Sequence, residues 1–243
     1  MDPAARFGNR SDDYARYRPT YPRAVIEAIL DGFDAPVVAD LGAGTGISSQ
    51  LLADAGARVY AIEPNAAMRA RIEPTARIEP IDASAEHTLL PAESVDVIAA
   101  FQAYHWFSVG EVLEEAARIR RVPARFAAVW NLRDRSDPFT AAYEAVTDAF
   151  DESNGAVDAS RRSGAVVEDL RSHGWRDVRV VRAQHRMPLG WEGMIGLARS
   201  TSYLPRDGER FAEMESAYRR LYEEWKGRGT SFAWLTEAYL GEA

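Results

Sequence analysis

The chain has 243 residues, of which 47% are hydrophobic, so it can bury a substantial core. Its formal net charge is −8 and it has no block of basic residues, which disfavours binding to nucleic acids. The absence of cysteine excludes disulfides and thiolate metal sites. No apolar run approaches the roughly 20 residues of a membrane span, and the polar N-terminus lacks the hydrophobic segment of a secretion signal. We therefore expect a cytoplasmic protein with no membrane partner.

From about Tyr21, helical patterns alternate with short apolar runs. Residues 23–33 carry apolar side chains at helical spacing, and residues 36–42 are predicted to form a buried strand. Asn65 is a predicted N-cap. The same alternation predicts further helices at 47–56, 65–72 and 109–121, and further strands at 57–64, 76–83, 94–102 and 125–132. Strict alternation of strand and helix favours a parallel sheet with helices on both faces.

The pattern becomes less regular after Asn131. We predict a helical insertion near 137–160, a helix over 165–175, two strands of an antiparallel edge hairpin within 177–189, and a mostly helical, aromatic-rich remainder. The predicted fold class is α/β: a Rossmann-like doubly wound sheet, mostly parallel with an antiparallel edge hairpin, plus a helical cap. The predicted division is an N-terminal arm and helix at 1–30, a core at 31–190 and the cap at 191–243.

The segment VVADLGAGTG, residues 37–46, joins the first strand to a helix. In open parallel sheets, ligands bind beyond the carboxyl ends of the strands where the strand order reverses. The three glycines at 42, 44 and 46 permit a sharp turn and leave bare backbone beside a ligand. Dinucleotide binders use G-x-G-x-x-G, whereas Ile47 stands where the third glycine would fall. Asp40 suits a ligand with a positive group better than one with two phosphates.

Four motifs follow one another in order: VVADLGAGTG, ARVYAIEPNAAM, IDASAEHTLL and VDVIAAFQAYHWF. In this order and spacing they resemble the class I S-adenosylmethionine-dependent methyltransferases. More narrowly, the chain is similar to the small-molecule branch with a His-Trp pair after the fourth strand, the trans-aconitate methyltransferase-like enzymes. The resemblance covers roughly residues 7–132. One departure is the segment RVPAR, which keeps a proline but lacks the two glycines usual before the fifth strand.

The resemblance implies S-adenosylmethionine as cofactor and S-adenosylhomocysteine as product. Glu63 would accept both ribose hydroxyls, although an acid 21 positions beyond Gly42 is also typical of dinucleotide binders. Asp82 would accept from the adenine amino group, with Glu86 as a competitor. Asp40 would anchor the loop and face the ammonium group. The implied cofactor-binding residues are Asp40, Gly42, Ala43, Gly44, Glu63, Pro64, Asp82, Ala83, Phe101 and Arg18.

The acceptor side is expected around FQAYHWF, where the implied catalytic residues are His105, Gln102 and Trp106. Methyl transfer requires a base only when the acceptor is protonated, so His105 is either a general base or a structural residue that holds the loop. The other histidines, His87, His173 and His185, are expected away from the site. The implied substrate-binding residues are Tyr14, Tyr17, Trp106, Arg199 and Tyr203, with Ser200 and Ser202 on the same cap segment.

We expect a small-molecule acceptor, methylated on an oxygen of a carboxylate or hydroxyl, and a monomer or homodimer. No His/Asp/Glu cluster has metal-ligand spacing, so no metal is expected. Two other functions stay open: a cofactor-binding module without turnover, because such motifs report binding rather than chemistry, and a nicotinamide-dependent reductase, which the glycine spacing disfavours.

Overall fold

The computed structural model describes residues 19–152, 163–201 and 203–243. Its strands are β1 (Val37–Leu41), β2 (Arg58–Ile62), β3 (Ile78–Ile81), β4 (Val95–Phe101), β5 (Arg120–Arg133), β6 (Arg176–Pro188) and β7 (Ser231–Glu242). Its helices are α1 (Arg23–Leu30), α2 (Ile47–Asp54), α3 (Ala66–Arg69), α4 (Val109–Ile119), α5 (Pro138–Ala149), α6 (Ser163–Ser172), α7 (Trp191–Ser200) and α8 (Gly208–Trp225), with a 3-10 turn at Tyr104–Trp106. Among these helices, none has the length and apolar character needed to cross a membrane.

All seven strands form one sheet, in the order β3-β2-β1-β4-β5-β7-β6. Strands β1 to β5 are parallel, and β7 runs antiparallel to both β5 and β6. The chain builds outward from β1 to β3, then crosses back to place β4 on the other side of β1. The order therefore reverses at β1, so the carboxyl ends of β1 and β4 form a crevice of the kind in which such sheets bind ligands. The predicted fold class is confirmed.

The central strands are buried on both faces, because helices cover each side of the sheet. Ala39 and Leu41 of β1 pack into a core shared with α4 and α6, whereas Val38 packs on the opposite face with α1 and α2. The same division holds along β4, where Ile98 and Val97 face opposite cores. Strands covered on both sides are continuous apolar runs rather than alternating ones, as the sequence of this region indicates.

The antiparallel edge of the sheet is confirmed, but its composition differs from the prediction. Residues 176–188 form the single strand β6, not two strands of a hairpin. Its partner β7 lies within the segment 191–243, which we expected to be a mostly helical cap; that prediction is correct for α7 and α8 and wrong for 231–242. Because β7 is buried on both faces, its sequence lacks the alternation by which a strand is recognised.

Helices α5, α7 and α8 form a third core with the beginning of β7. Phe139 and Tyr143 of α5, Met194 of α7 and Tyr218 of α8 are buried together with Phe232. In the β5–β7 pairing, Trp234 lies opposite Arg133, so this helical cluster lies at the carboxyl edge of the parallel strands. It therefore lies at the same edge as the crevice between β1 and β4.

Arg125 of β5 attaches α1 to the sheet. Its side chain is 9% exposed and forms an ion pair through Nε with Glu242 of β7 at 2.8 Å. Its Nη1 donates to three carbonyl oxygens at the end of α1, those of Ala28, Ile29 and Asp31, at 3.1, 2.9 and 2.8 Å. The last carbonyls of a helix have no partner within the helix, so this guanidinium satisfies groups that would otherwise be buried and unpaired.

We expect Arg125→Ala to lower the free energy of unfolding by about 2–3 kcal/mol, because it leaves the three carbonyls without this donor, while Glu242 keeps its ion pair with Arg179. Urea denaturation followed by circular dichroism measures the change. The matched control is Arg121→Ala, which removes an ion pair to Asp96 from a side chain that is 51% exposed and should cost about 1 kcal/mol or less. Equal losses in the two variants would contradict this assignment.

Candidate functional site

The loop after β1 has a conformation that glycine favours. The backbone is left-handed at Gly42, Gly44 and Gly46, with φ of +67°, +59° and +87°. A Cβ atom on Gly42 would lie 2.8 Å from the Cβ of Ala103, which is too close for two carbon atoms that are not bonded to each other. The Gly42 N–H donates to the carbonyl of Ile62 at 2.9 Å, so the loop is attached to the end of β2. Bare backbone is therefore exposed at the crevice, next to the N-terminus of α2.

Asp40 lies at the end of β1 and is fully buried. The hydroxyls of Ser48 and Ser49 both donate to its Oδ2, at 2.7 and 2.6 Å, which holds the first turn of α2 against the loop. Among the residues that the structure describes, neither its Oδ1 nor the buried hydroxyl of Thr45 has a hydrogen-bond partner. Burial raises the pKa of Asp40 to about 6, opposed by the two serine hydroxyls and reinforced by the charge of Glu63. A buried carboxylate oxygen without a partner beside bare backbone fits a cationic group.

Glu63 follows β2 and faces the same loop. Its Oε2 accepts from the Gly44 N–H at 2.9 Å and its Oε1 from the Asn65 N–H at 2.8 Å. Burial raises the pKa of Glu63, while these two N–H groups and Arg69 lower it. A carboxylate has about four acceptor positions, so each oxygen can accept one more hydrogen bond. This arrangement suits a vicinal diol, as predicted for Glu63; the neighbouring Pro64 is exposed.

Arg69 of α3 connects the ends of β2 and β3, a role that the sequence did not indicate. Its Nη1 donates to the Glu63 carbonyl at 2.7 Å and its Nη2 to Asp82 Oδ2 at 2.7 Å. The Asp82 side chain is 72% exposed. The Ala83 N–H donates to the Ile81 carbonyl at 3.1 Å, so a contact from it to a ring nitrogen would have to share or replace that bond. The adenine-binding roles of Asp82 and Ala83 stay predictions.

Glu86, the competitor of Asp82, has another partner in the structure. Its Oε1 accepts from the Ser108 N–H at 3.1 Å. Ser108 is the residue before the first turn of α4, so Glu86 satisfies a backbone donor near the start of that helix. This interaction favours Asp82 over Glu86 for a ligand at the end of β3.

A pocket joins the glycine loop to the ends of β4 and β5. Five of the predicted residues line this pocket: Gly42, Ala43, Gly44, Phe101 and Gln102. The lining also includes six residues that were not predicted: Pro19, Tyr21, Thr45, Ile47, Ser48 and Asn131. The rings of Tyr21 and Phe101 meet edge to face at 4.7 Å and form an apolar wall. Gln102 has φ of +53°, and its Nε2 donates to the Asn131 carbonyl at 3.0 Å. The sequence did not indicate that Tyr21 and Asn131 line the pocket, because neither residue belongs to a local motif.

His105 lies in the 3-10 turn after β4, and its ring contacts that of Trp106 at 4.8 Å. The Trp130 Nε1–H donates to His105 Nδ1 at 3.3 Å. Since indole is only a donor, Nδ1 carries no proton in this arrangement, and the proton of the neutral ring lies on Nε2. Neither His105 nor Trp106 is among the described residues that line the pocket. The bond to Trp130 favours the structural role of His105 over that of a general base.

The predicted residues of the cap lie outside this pocket. Arg199 is exposed, pairs with Glu215 at 3.6 Å and lies over the ring of Phe211. Ser200 is buried and donates to the Leu197 carbonyl. Burial lowers the pKa of the Arg133 guanidinium, but Glu144 and, to a smaller extent, Tyr203 raise it, and the net shift is upward. Tyr203 therefore lies near Arg133. Four predicted residues, Tyr14, Tyr17, Arg18 and Ser202, lie outside the described residues.

His185 is closer to the site than the sequence indicated. We expected it to lie elsewhere, but its Nδ1 lies 3.4 Å from Thr236 Oγ1, and Thr236 donates to Asn131 in the pocket wall at 2.5 Å. His185 is separated from both Thr236 and Asn131 by more than 50 residues, so no local pattern in the sequence indicates that His185 lies near the site. Within the described chain, no group of three or more His, Asp or Glu side chains could hold a metal ion.

Comparison with known proteins shows that part of this chain is similar to methyltransferases. Residues 39–127 match a methyltransferase domain family. An uncharacterised methyltransferase of Mycobacterium tuberculosis is 36% identical over 137 residues, 55% of this chain and 55% of that protein. The chain thus spans about half the length of the curated relatives it matches. These likenesses support a methyltransferase, and the matched region includes the glycine loop and the motifs of β2, β3 and β4.

Solved structures extend the likeness to nearly the whole chain. A protein of Anaeromyxobacter dehalogenans, provisionally named a type II methyltransferase, has 26% identity and a TM-score of 0.60 over 93% of this chain and 98% of that one. A provisionally named methyltransferase from an antibiotic biosynthesis pathway of Anabaena variabilis has 22% identity and a TM-score of 0.62, covering 88% of this chain and 95% of that one. The second likeness concerns the fold alone.

We expect Gly42→Ala to destabilise the protein more than Gly44→Ala. Both substitutions force alanine into a left-handed conformation, at about 1–2 kcal/mol. Gly42→Ala adds a clash with Ala103 of about 1–3 kcal/mol, whereas at Gly44 the nearest atom is the flexible Met68 Cε at 3.4 Å. Urea denaturation without ligand measures both variants, and a smaller loss for Gly42→Ala would contradict the loop geometry.

Proposed function

We propose that the protein is an S-adenosylmethionine-dependent methyltransferase that acts on a small molecule. The observation that carries this proposal is Asp40 Oδ1, a buried carboxylate oxygen next to the glycine loop that has no hydrogen-bond partner within 19–152, 163–201 and 203–243. A zwitterionic amino-acid group can supply the missing cation, whereas a pyrophosphate would repel the carboxylate. The methyltransferase domain match over 39–127 and the Anaeromyxobacter structure give independent support.

The cofactor would extend across the ends of three neighbouring strands. Its ammonium group would lie near Asp40, its methionine part along the backbone at Gly42, its ribose on Glu63 and its adenine near Asp82. These groups occupy the ends of β1, β2 and β3, which are adjacent in the sheet. Arg69 holds the second and third of these ends together through Glu63 and Asp82.

When bound, the cofactor supplies a methyl group on a positively charged sulfur, whose departure leaves a neutral thioether. Little acid catalysis is then required, so the alignment of the acceptor with the methyl carbon and sulfur is the main task of the protein. Well-oriented groups can remove about 7–11 kcal/mol of a barrier. Tyr21 and Phe101 would exclude water, and Gln102 would orient the acceptor. The bond to Trp130 makes His105 a residue that holds the β4–α4 loop.

We further propose a small acceptor, methylated on an oxygen of a carboxylate or hydroxyl. The chain has 37 acidic against 29 basic residues, a balance that does not favour a nucleic acid substrate. The described residues of the pocket offer amides at Gln102 and Asn131 and an aromatic wall, but no histidine or carboxylate side chain. Such a lining suits an acceptor that is nucleophilic without a base, which favours a carboxylate over a hydroxyl.

We expect Glu63→Ala to weaken the binding of S-adenosylhomocysteine at least about tenfold, because it removes the acceptors of the ribose hydroxyls. Isothermal titration calorimetry measures the affinity. The matched control is Glu79→Ala on the neighbouring strand β3, where the acid is 57% exposed and pairs with Arg58, and it should leave the affinity unchanged. If Glu63→Ala bound as tightly as the wild type, the role of the second strand would be wrong.

We expect the affinity for S-adenosylhomocysteine to fall about tenfold between pH 7.5 and pH 5. The pKa of Asp40 is about 6, so the free protein loses this charge as the pH falls through 6, while the ligand ammonium stays protonated. Asp40→Asn should bind more weakly at pH 7.5 and lack this dependence. Because burial also raises the pKa of Glu63, a pH dependence that persists in Asp40→Asn would assign the effect to Glu63 instead.

Binding alone does not establish turnover. Incubation with methyl-labelled S-adenosylmethionine and a panel of small acids, alcohols and amines tests for transfer. Labelled product from any member supports the enzyme. Tight cofactor binding without transfer to any member would favour a non-catalytic module.

A further inference from the structure

A polar cluster crosses the three strands at the far edge of the sheet. Thr236 of β7 lies directly opposite Asn131 of β5 and Ala183 of β6, and His185 is two residues beyond Ala183 on the same face of β6. These side chains lie on the face covered by α1, next to the Thr20 carbonyl at the beginning of the described chain. Residues from four distant parts of the sequence thus meet beside the pocket.

The hydrogen bonds of this cluster have one consistent assignment. Asn131 Nδ2 donates to the Thr20 carbonyl at 3.1 Å, and this fixes Asn131 Oδ1 toward Thr236. The Thr236 hydroxyl donates its only proton to that oxygen at 2.5 Å. His185 Nδ1 lies 3.4 Å from the same hydroxyl oxygen, which can now only accept. This contact is a hydrogen bond only if Nδ1 carries the proton, so the geometry points to the Nδ1–H form of the neutral ring.

The surroundings of His185 agree with a neutral ring. Its Nε2 is buried and has no hydrogen-bond partner in the described part of the chain. Burial lowers the pKa of His185, and the Thr20 carbonyl beside the ring opposes that shift. A second proton would place an uncompensated charge at Nε2. The ring therefore acts as a single, directed donor at neutral pH.

The cluster is connected to the pocket in two ways. Asn131 lines the pocket, and its main-chain carbonyl accepts a hydrogen bond from Gln102 Nε2 at 3.0 Å. Thr20, held by the Asn131 side chain, lies between Pro19 and Tyr21, which both line the pocket as well. The orientation of the Asn131 side-chain amide thus bears on the wall at Pro19 and Tyr21, whereas Gln102 bonds the main chain of Asn131.

We propose that His185 is a positioning residue for the ligand pocket: through Thr236 it fixes the side-chain amide of Asn131, and through that amide and the Thr20 carbonyl it fixes the pocket wall at Tyr21. The role of the pocket rests on the proposed function, whereas the proton arrangement of the cluster does not. His185 acts through its neighbours and is not a catalytic residue.

The proton arrangement can be measured without any cofactor. Two-bond ¹H–¹⁵N correlation spectra of the histidine rings at pH 7.5 distinguish the two tautomers, and His185→Asn identifies which of the four histidines is His185. We expect the Nδ1–H form in the wild type and in Thr236→Ser, and a shift away from it in Thr236→Val. The Nε2–H form in the wild type would overturn the proposal.

The effect on the pocket is measured as affinity for S-adenosylhomocysteine by calorimetry. We expect Thr236→Val, which removes the hydroxyl at nearly constant shape, to bind about threefold to tenfold more weakly than Thr236→Ser. His185→Leu should show a similar loss, and His185→Asn should restore most of the affinity because its amide can donate from the position of Nδ1. Equal affinities within both pairs would overturn the positioning role.

The outcomes separate this proposal from the proposed function. If the wild type does not bind S-adenosylhomocysteine, the proposed function fails, and the tautomer of His185 and its response to Thr236→Val still decide the cluster. If the wild type binds but the two pairs do not differ, the positioning role fails alone. Thermal unfolding of each variant identifies losses of affinity that come from unfolding. If His185→Leu does not fold, the comparison of Thr236→Val with Thr236→Ser still tests the positioning role.

Discussion

The buried carboxylate of Asp40 is the interaction on which the rest of the site depends. One of its oxygens accepts from Ser48 and Ser49 and so positions the start of α2, while none of the described residues bonds the other. Ionising such a group inside the protein is unfavourable, which is why its pKa rises to about 6. A bound cation would remove that penalty. The same residue thus organises the glycine loop and creates the demand for a positively charged ligand.

The strand order turns this local feature into an extended site. Because the order reverses at β1, the ends of β2 and β3 lie on one side of the glycine loop and those of β4 and β5 on the other. Glu63 binds the loop directly through the Gly44 N–H, and Arg69 joins Glu63 to Asp82. On the other side, Gln102 and Asn131 are joined by a hydrogen bond. In the proposed function, the first side binds the cofactor and the second side binds the acceptor.

The late part of the chain contributes to the site from a distance. After β6 the chain forms α7 and α8 and then returns to the sheet as β7, between β5 and β6. This return places Thr236 next to Asn131 and brings His185 within reach of the pocket wall. It also places the helical cluster at the carboxyl edge. An edge strand of the sheet can therefore influence ligand binding without touching the ligand.

The sequence alone determined the α/β fold class, the strands from β1 to β5, the Asn65 cap and the glycine loop, because short-range patterns encode each of them: apolar runs, capping side chains and glycine spacing. It also indicated Asp40 and Glu63, which lie beside that loop. Only the tertiary structure decided that 231–242 is a strand, since a strand buried on both faces has no alternation to detect. It likewise decided that Tyr21, Arg69, Asn131 and His185 surround the site and that Arg199 does not. Except for Arg69, whose partners are 6 and 13 residues away, these residues make contacts that join distant parts of the chain, and such contacts depend on the order of the strands.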